Sequence, residues 1–377
     1  MIYFDSAATS FQKPASVAAA MWEALASMSS PGRGGYPAAA RAADTAFQCR
    51  SELAELFGLK NPEQVVFTLN ATHALNIAIK SLVPPEGKVV VSGYEHNAVT
   101  RPLEVLGARI SVAAAPLFEP KAVTAAFDRL IAPDVNAVVC NHVSNVFGFI
   151  QPVEEIADIC RKRGVPFIVD ASQSAGILPL NMETLGAAFI AMPGHKGLYG
   201  PQGTGVLLCG AGVPVRPLME GGTGSQSIQQ QMPDFLPDRL EAGTLNVPGI
   251  AGLLAGVRYV RRGGLNKILD HEKHLTQMTI QGLETLPGIR VYASPGLQNQ
   301  TGVLSLTAEG LDVETIGSAL EERGIAVRTG IHCAPYAHRT AGTLDTGTVR
   351  LSFSDFNTPE EVARLLRALC GVLGRAF

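Results

Sequence analysis

The chain reads as an α/β protein: a mostly parallel sheet flanked by helices, followed by a smaller α+β C-terminal lobe. Three observations predict this. Apolar strand-like runs alternate with amphipathic helix-length segments through the middle of the sequence. Polar residues follow directly after those runs. Beyond an interruption at 211–246, rich in Gly, Gln and Pro, the pattern changes to short strands set between longer helices.

In order, residues 64–68 (QVVFT) predict a strand and 71–82 a helix; 88–92 (KVVVS) a strand and 96–106 a helix. Residues 135–141 (VNAVVCN) form a continuous apolar run, the mark of a strand buried on both faces. The helix that follows is well signed. Pro152 suits a first turn, Glu154 and Glu155 come next, and Arg161, Lys162 and Arg163 crowd the end before Gly164, the order that the helix dipole and a glycine C-cap favour. Val153, Ile156, Ala157 and Cys160 make its apolar stripe. Residues 166–169 (PFIV) give the next strand, ending at Asp170, and the run 187–192 another, just before Lys196. After the interruption come helices at 250–260 and 266–286, strands at 303–306 and 349–353, and helices at 313–323 and 359–373. A loop as long as 211–246 inside a compact fold is functional or holds a partner subunit.

A length of 377 residues suffices for a large core and two lobes. With 46% hydrophobic and 17% charged residues, disorder is excluded. A net charge of −3 gives no reason to expect nucleic acid or an acidic membrane surface as a partner. The start, Met1 to Asp5, lacks a signal-like apolar stretch, and no window approaches a membrane span, so a cytoplasmic enzyme is expected. The six cysteines are scattered without a CxxC pair, which argues against zinc. Cys140, Cys160, Cys209, Cys49 and Cys370 fall in strand or helix patterns and read as structural. Cys333 alone sits among glycine, histidine and proline.

Ligands of parallel sheets bind at the carboxyl ends of the strands. The residues expected there are Thr72 and His73, Glu95 and His96, Asn145, Asp170 and Gln173, and His195 and Lys196. Lys196 follows a buried strand, so desolvation would free its amine to form a Schiff base with an aldehyde; a lone lysine on a turn would more simply be a surface residue. Asp170 offers a carboxylate such as a protonated pyridine nitrogen needs, or a turn cap. Thr72 and His73 stand where a helix N-terminus would take a phosphate, with helix capping as the simpler reading. The flat ring of His96 could stack on a heterocycle. Arg350, on an alternating strand, presents a guanidinium fork suited to a carboxylate, though a half-exposed strand arginine is the commoner case. A lysine and a cysteine as paired nucleophiles suit few reactions, and removal of sulfur from an amino acid is one.

Together these residues resemble the class V aminotransferase superfamily of fold-type I PLP enzymes, and within it the group II cysteine desulfurases and selenocysteine lyases. The likeness runs nearly end to end: Tyr3 to Thr9 (YFDSAAT), Asn141 to Gly148 (NHVSNVFG), Asp170 to Gln173 (DASQ), Gly194-His195-Lys196, Glu241 to Asn246 (EAGTLN), Arg328 to Ala334 (RTGIHCA) and Arg350. Three positions depart from the pattern. Pro193 stands where better-known members have a phosphate-binding serine, Tyr36 where histidine is frequent, and Ile331 in place of the first of two histidines before the cysteine.

The resemblance implies a large PLP-binding domain at 12–250 and a small domain made of 1–11 and 251–377. It implies pyridoxal 5'-phosphate as cofactor, held by Lys196, Asp170, Gln173, His96, Thr72, His73 and His195, with Thr244 reaching the cofactor of the other subunit of a homodimer. It implies L-cysteine as substrate, its carboxylate held by Arg350, Asn145 and Arg328. Lys196, His96 and Cys333 then act catalytically: Cys333 takes the sulfur as a persulfide, alanine is released, and a sulfur-acceptor protein is a possible partner. The alternatives are a selenocysteine lyase, epimerase or aminotransferase on the same scaffold, and a catalytically silent PLP-binding scaffold in sulfur delivery.

Overall fold

The structure, a computed structural model, describes residues 1–31, 34–286 and 288–374. Its centre is a seven-stranded sheet in the order Val65–Thr68, Gly205–Cys209, Phe189–Pro193, Phe167–Asp170, Ala137–Asn141, Lys88–Ser92, Arg109–Ala113. The inner pairs run parallel, and Gly205–Cys209 alone runs against both its neighbours. The central strands are buried on both faces, as their continuous Val, Ile and Phe runs require. Each such side chain contributes ~1.5–3 kcal/mol by leaving water. Apolar clusters fill both faces. One includes Phe127, Phe147 and Phe167, the other Leu75, Ile79 and Phe189.

Helices Ala71–Leu82, Asn97–Val105 and Val153–Arg163 form where the sequence predicts them. The last ends on Gly164 in the left-handed region, φ 68°. From Lys88–Ser92 the chain first moves outward to Arg109–Ala113, then returns to Ala137–Asn141 on the other side. This reversal opens a crevice at the carboxyl ends of those two strands, and the segments that follow them carry His96 and Asn145.

A second sheet is antiparallel, in the order Arg328–Gly330, Thr348–Ser352, Val303–Ala308, Ile289–Tyr292. Helices Leu265–Leu283, Val313–Glu321 and Pro359–Val372 cover it with their own apolar cluster. The start of the chain belongs here too: Ile2–Tyr3 pairs in parallel with Ile325–Ala326, and Asp5 bridges to Ser352. Helix Val247–Gly263 lies against Ala15–Ser27 and Pro37–Leu56. A Cβ on its Gly252 would stand 2.7 Å from Met21 Cγ, and one on Gly256 2.3 Å from the Leu198 carbonyl. Residue 250, the boundary the resemblance implies, falls inside this helix, which runs unbroken to Gly263 against the helices of the large body.

Residues 211–246 carry no helix or strand among the described residues. Their end is nonetheless anchored. Glu241 accepts from Arg50 through both oxygens, at 2.9 and 2.6 Å, and from the Phe67 N–H at 2.6 Å. Arg50 in turn lies 4.2 Å from the Phe67 ring centre.

Candidate active site

A cavity of about 200 Å³ opens at the carboxyl ends of the parallel strands. Lys196, His195, Asp170, Gln173, His96, Thr72 and Asn145 all line it, together with Pro193. Strand register explains the gathering: Asn141 stands beside Asp170, and Asp170 beside Ala191, so the strands end at one level.

Lys196 is presented by a tight turn. Gly194 donates to the Thr204 carbonyl at 2.9 Å, and Gly200 to the Gly194 carbonyl at 2.8 Å. A Cβ on Gly194 would lie 2.2 Å from Thr204 Oγ1, which explains why glycine stands there. The His195 carbonyl accepts from the Ser10 N–H at 3.1 Å and the Ser10 hydroxyl at 2.9 Å, tying the turn to the N-terminal arm. Burial, reinforced by the nearby Arg350 charge and opposed by Asp170 and Asp5, lowers the Lys196 amine to about 8. His195 is held near 4 by burial and by Lys196, and its Nδ1 lies 3.0 Å from Thr9 Oγ1.

Asp170 Oδ1 accepts from the Ser172 N–H at 2.9 Å and from its hydroxyl, which orients the carboxylate. Gln173 donates to the Ala7 carbonyl at 2.9 Å. His96 caps its helix: Nδ1 accepts from the Ala98 N–H at 3.0 Å, leaving the proton of a neutral ring on Nε2. Burial lowers its pKa, against the pull of Asp170. Below it lies Glu95, fully buried and pushed up to about 8 by desolvation. Its Oε1 accepts from Ser92 and from the Asn141 N–H at 2.8 Å.

His73 is engaged locally. Its N–H is bonded to the capping Asn70 side chain at 2.9 Å, and its ring Nδ1 accepts from the Leu69 N–H at 3.2 Å. It is not on the cavity wall, whereas Asn70, Ala71 and Thr72 are. Thr244 is exposed, at the end of the long loop.

Arg350 is 2% exposed. Its Nη1 donates to the Asn145 carbonyl at 2.9 Å, its Nη2 to Asp5 Oδ1 at 2.6 Å, and its Nε is buried without an acceptor. Arg328 Nη1 lies 3.9 Å from the other oxygen of Asp5 and is half-exposed. Asn145 also donates through Nδ2 to the His332 carbonyl at 2.9 Å, while its own Oδ1 is buried without a partner.

Cys333 is exposed; the other five cysteines are buried, as their strand and helix patterns predict. His332 and Cys333 both adopt left-handed backbone, φ 51° and 56°, uncommon outside glycine. The turn is held from three sides. The Cys333 carbonyl accepts from the Asn97 N–H at 2.8 Å, the His332 carbonyl from Asn145, and the Ile331 carbonyl from the Ala334 N–H at 3.0 Å. Beneath it, His332 Nε2 lies 3.1 Å from the Thr348 carbonyl, and its ring stacks on His338 at 5.7 Å. Burial holds His332 near 2 and His338 near 4, so both rings are neutral packing groups. The cysteine turn thus adjoins the two segments that place His96 and Asn145 on the cavity wall.

Asp5, Ser172 and the His332–His338 pair are the residues whose part sequence reasoning did not foresee. Glu272 is another. It is buried, pushed well up by desolvation, and lines a smaller cavity of about 40 Å³ that shares Lys196 and Gln173 with the first.

A doubly covered, mostly parallel sheet with a desolvated lysine at its carboxyl edge is an arrangement suited to carbonyl chemistry, in which an amine captures an aldehyde. Residues 2–365 match the family model of class-V aminotransferases, and the chain belongs to that family. It is 34% identical to a probable cysteine desulfurase of Methanothermobacter thermautotrophicus, over 99% of this chain and 95% of that protein. It is 33% identical to one from Pyrococcus abyssi, over 98% and 93%. Among solved structures, the apo cysteine desulfurase of Thermococcus onnurineus superposes with a TM-score of 0.91 at 32% identity, covering 99% of this chain and 94% of that one. The cysteine desulfurase CsdA of Escherichia coli superposes with a TM-score of 0.86 at 26% identity, covering 99% and 94%.

Proposed function

We propose that this protein is a pyridoxal phosphate-dependent cysteine desulfurase that converts L-cysteine to L-alanine and retains the sulfur as a persulfide on Cys333. One observation carries the reading: the Cys333 turn is bonded to the segments of His96 and Asn145, both on the wall of the lysine cavity. An amine and an exposed thiol therefore serve one site, and full-length relatives named as probable cysteine desulfurases support it.

The residues fit the cofactor. Lys196 supplies the amine, already lowered toward neutrality. Asp170 is the carboxylate for the ring nitrogen, His96 the flat partner for the ring face, and Gln173 the amide for the phenolic oxygen. Thr72 and His195, with the N-terminus of helix Ala71–Leu82, offer donors for the phosphate. Pro193 contributes no donor there, and His73 has none to spare. The buried, partnerless Oδ1 of Asn145 is an acceptor awaiting a donor. When bound, PLP supplies the electron sink that makes the substrate's α-proton acidic.

Arg350, with Asn145 and Arg328 beside it, holds the substrate carboxylate. Neutral Lys196 takes the α-proton. The Cys333 thiolate attacks the substrate sulfur: an S–S bond forms, the carbon–sulfur bond breaks, and its electron pair returns to carbon, where protonation completes alanine. Trp22, Leu25 and Phe47 are large apolar side chains left 61–74% exposed. With exposed Thr244, they support a homodimer in which each chain completes the other's site. An acceptor protein would meet Cys333 at the surface, and the cytoplasm is the compartment proposed.

The test uses purified protein with L-cysteine and a reductant. Wild type releases alanine and sulfide in equal amounts. Cys333→Ala keeps its visible PLP absorbance and loses sulfide release. Full turnover by that variant would refute the persulfide route.

A further inference from the structure

Arg350 is nearly closed off: Nη1 is bonded to the Asn145 carbonyl, Nη2 to Asp5, and the buried Nε has no acceptor. An incoming carboxylate therefore finds its arginine already carrying one. Asp5 reaches this place because the N-terminal arm lies along the strand of Arg350. Asp5 bridges to Ser352, the Ser352 N–H donates to the Phe4 carbonyl at 2.8 Å, and the Ala7 N–H donates to Ser352 Oγ at 2.8 Å. The same carboxylate has a second cation within reach. Arg328 stands 3.9 Å from Asp5 Oδ2, beyond hydrogen-bond range, and its side chain is 48% exposed and so able to move.

Resting on the reading of Arg350 as the carboxylate seat, we propose that Asp5 is an internal carboxylate that the substrate's α-carboxylate replaces on Arg350, with Arg328 receiving the displaced Asp5. The charges balance across the exchange. Two arginines and one aspartate carry a net +1, which a single substrate carboxylate neutralises. Asp5 thus keeps the buried guanidinium paired before substrate arrives, since an unpaired buried charge is strongly destabilising. It also sets the affinity at which carboxylates enter. Asp5 is a positioning and affinity-setting residue, acting through Arg350.

The experiment is calorimetric titration of the PLP-loaded protein with L-alanine, and with ethylamine as the same amine without its carboxylate. Wild type is expected to bind L-alanine more tightly than ethylamine. If it does not, the carboxylate seat itself fails, and this inference with it. In Asp5→Asn, which is close in size, L-alanine affinity is expected to rise at least fivefold while ethylamine affinity stays within twofold. In Arg328→Gln, whose exposed position tolerates change, L-alanine affinity is expected to fall at least threefold, and that fall is expected to vanish in the Asp5→Asn background. Unchanged or weaker L-alanine binding in Asp5→Asn overturns the exchange. So does an equal gain for both ligands, or an Arg328 effect that persists in full without Asp5.

Discussion

In the proposed function the amine of Lys196 is the group on which cofactor capture turns, and its surroundings predict a measurable pH dependence. Burial is the main cause of its fall from 10.5 to about 8, with the Arg350 charge adding to it. Such a fall raises the neutral fraction at about pH 7 roughly 300-fold over an ordinary lysine. The assay is the rate at which cofactor-free protein captures PLP, followed by visible absorbance across the pH range. Dividing each rate by that of an alkoxyamine, which is neutral across this whole range, removes the titration of PLP itself. The rate should climb through a midpoint near pH 8 and then level off. Arg350→Gln removes the second cause and should move the midpoint upward, yet keep it below that of free lysine, because burial remains. A midpoint at or above about 10 in wild type, or a downward move in Arg350→Gln, would refute the claim that desolvation readies this amine.

Two further perturbations probe the frame behind the site. Glu95 has its folded pKa raised from 4.5 to about 8, so its contribution to stability is full at low pH and is lost as pH rises through about 8. Glu95→Gln, which keeps an acceptor for Ser92 and Asn141, should therefore match wild type in melting temperature near pH 5 and exceed it near pH 9; a parallel loss at both would remove the argument. Glu241→Ala strands the buried Arg50 guanidinium and the Phe67 N–H, for an expected loss of about 3–5 kcal/mol in chemical denaturation. A change under about 1 kcal/mol would show that water takes over those bonds.

How much was legible in the sequence follows from how local each signal is. The central strands announce themselves because burial on both faces demands unbroken apolar runs, as in Ala137–Asn141. Arg109–Ala113 gives no such signal: it is an edge strand, and its residues are largely exposed. The reversal of Gly205–Cys209 was equally hidden, since the apolar composition of GVLLC does not record direction, only burial. The position of a side chain on the cavity wall was legible where it stands at or just after a strand's end, as Asp170 and Lys196 do. The partner of His73 was not legible: a helix N-terminus has few free N–H groups, and the one on His73 is bonded to Asn70. Asp5 was out of reach. Its partner Arg350 is 345 positions away, and no periodicity links the two.

Asn145 shows why these distant pieces act as one site. Its carbonyl holds the arginine of the small sheet, its amide holds the turn that carries Cys333, its remaining oxygen is buried and unpaired, and the residue lines the lysine cavity. A side chain at that position must accept, donate and still leave an acceptor free. Serine is too short to span the His332 carbonyl and the cavity together, and aspartate has no donor for the turn. The amide also explains how a strained cysteine turn persists. Two successive residues at positive φ cost about 1–3 kcal/mol each, and two hydrogen bonds from the large body, through Asn97 and Asn145, offset part of that at about 0.5–1.5 kcal/mol each. The thiol's position is therefore set by contacts with the cofactor-binding body rather than by the small sheet alone. The two bodies must be docked before nucleophile and amine share a substrate.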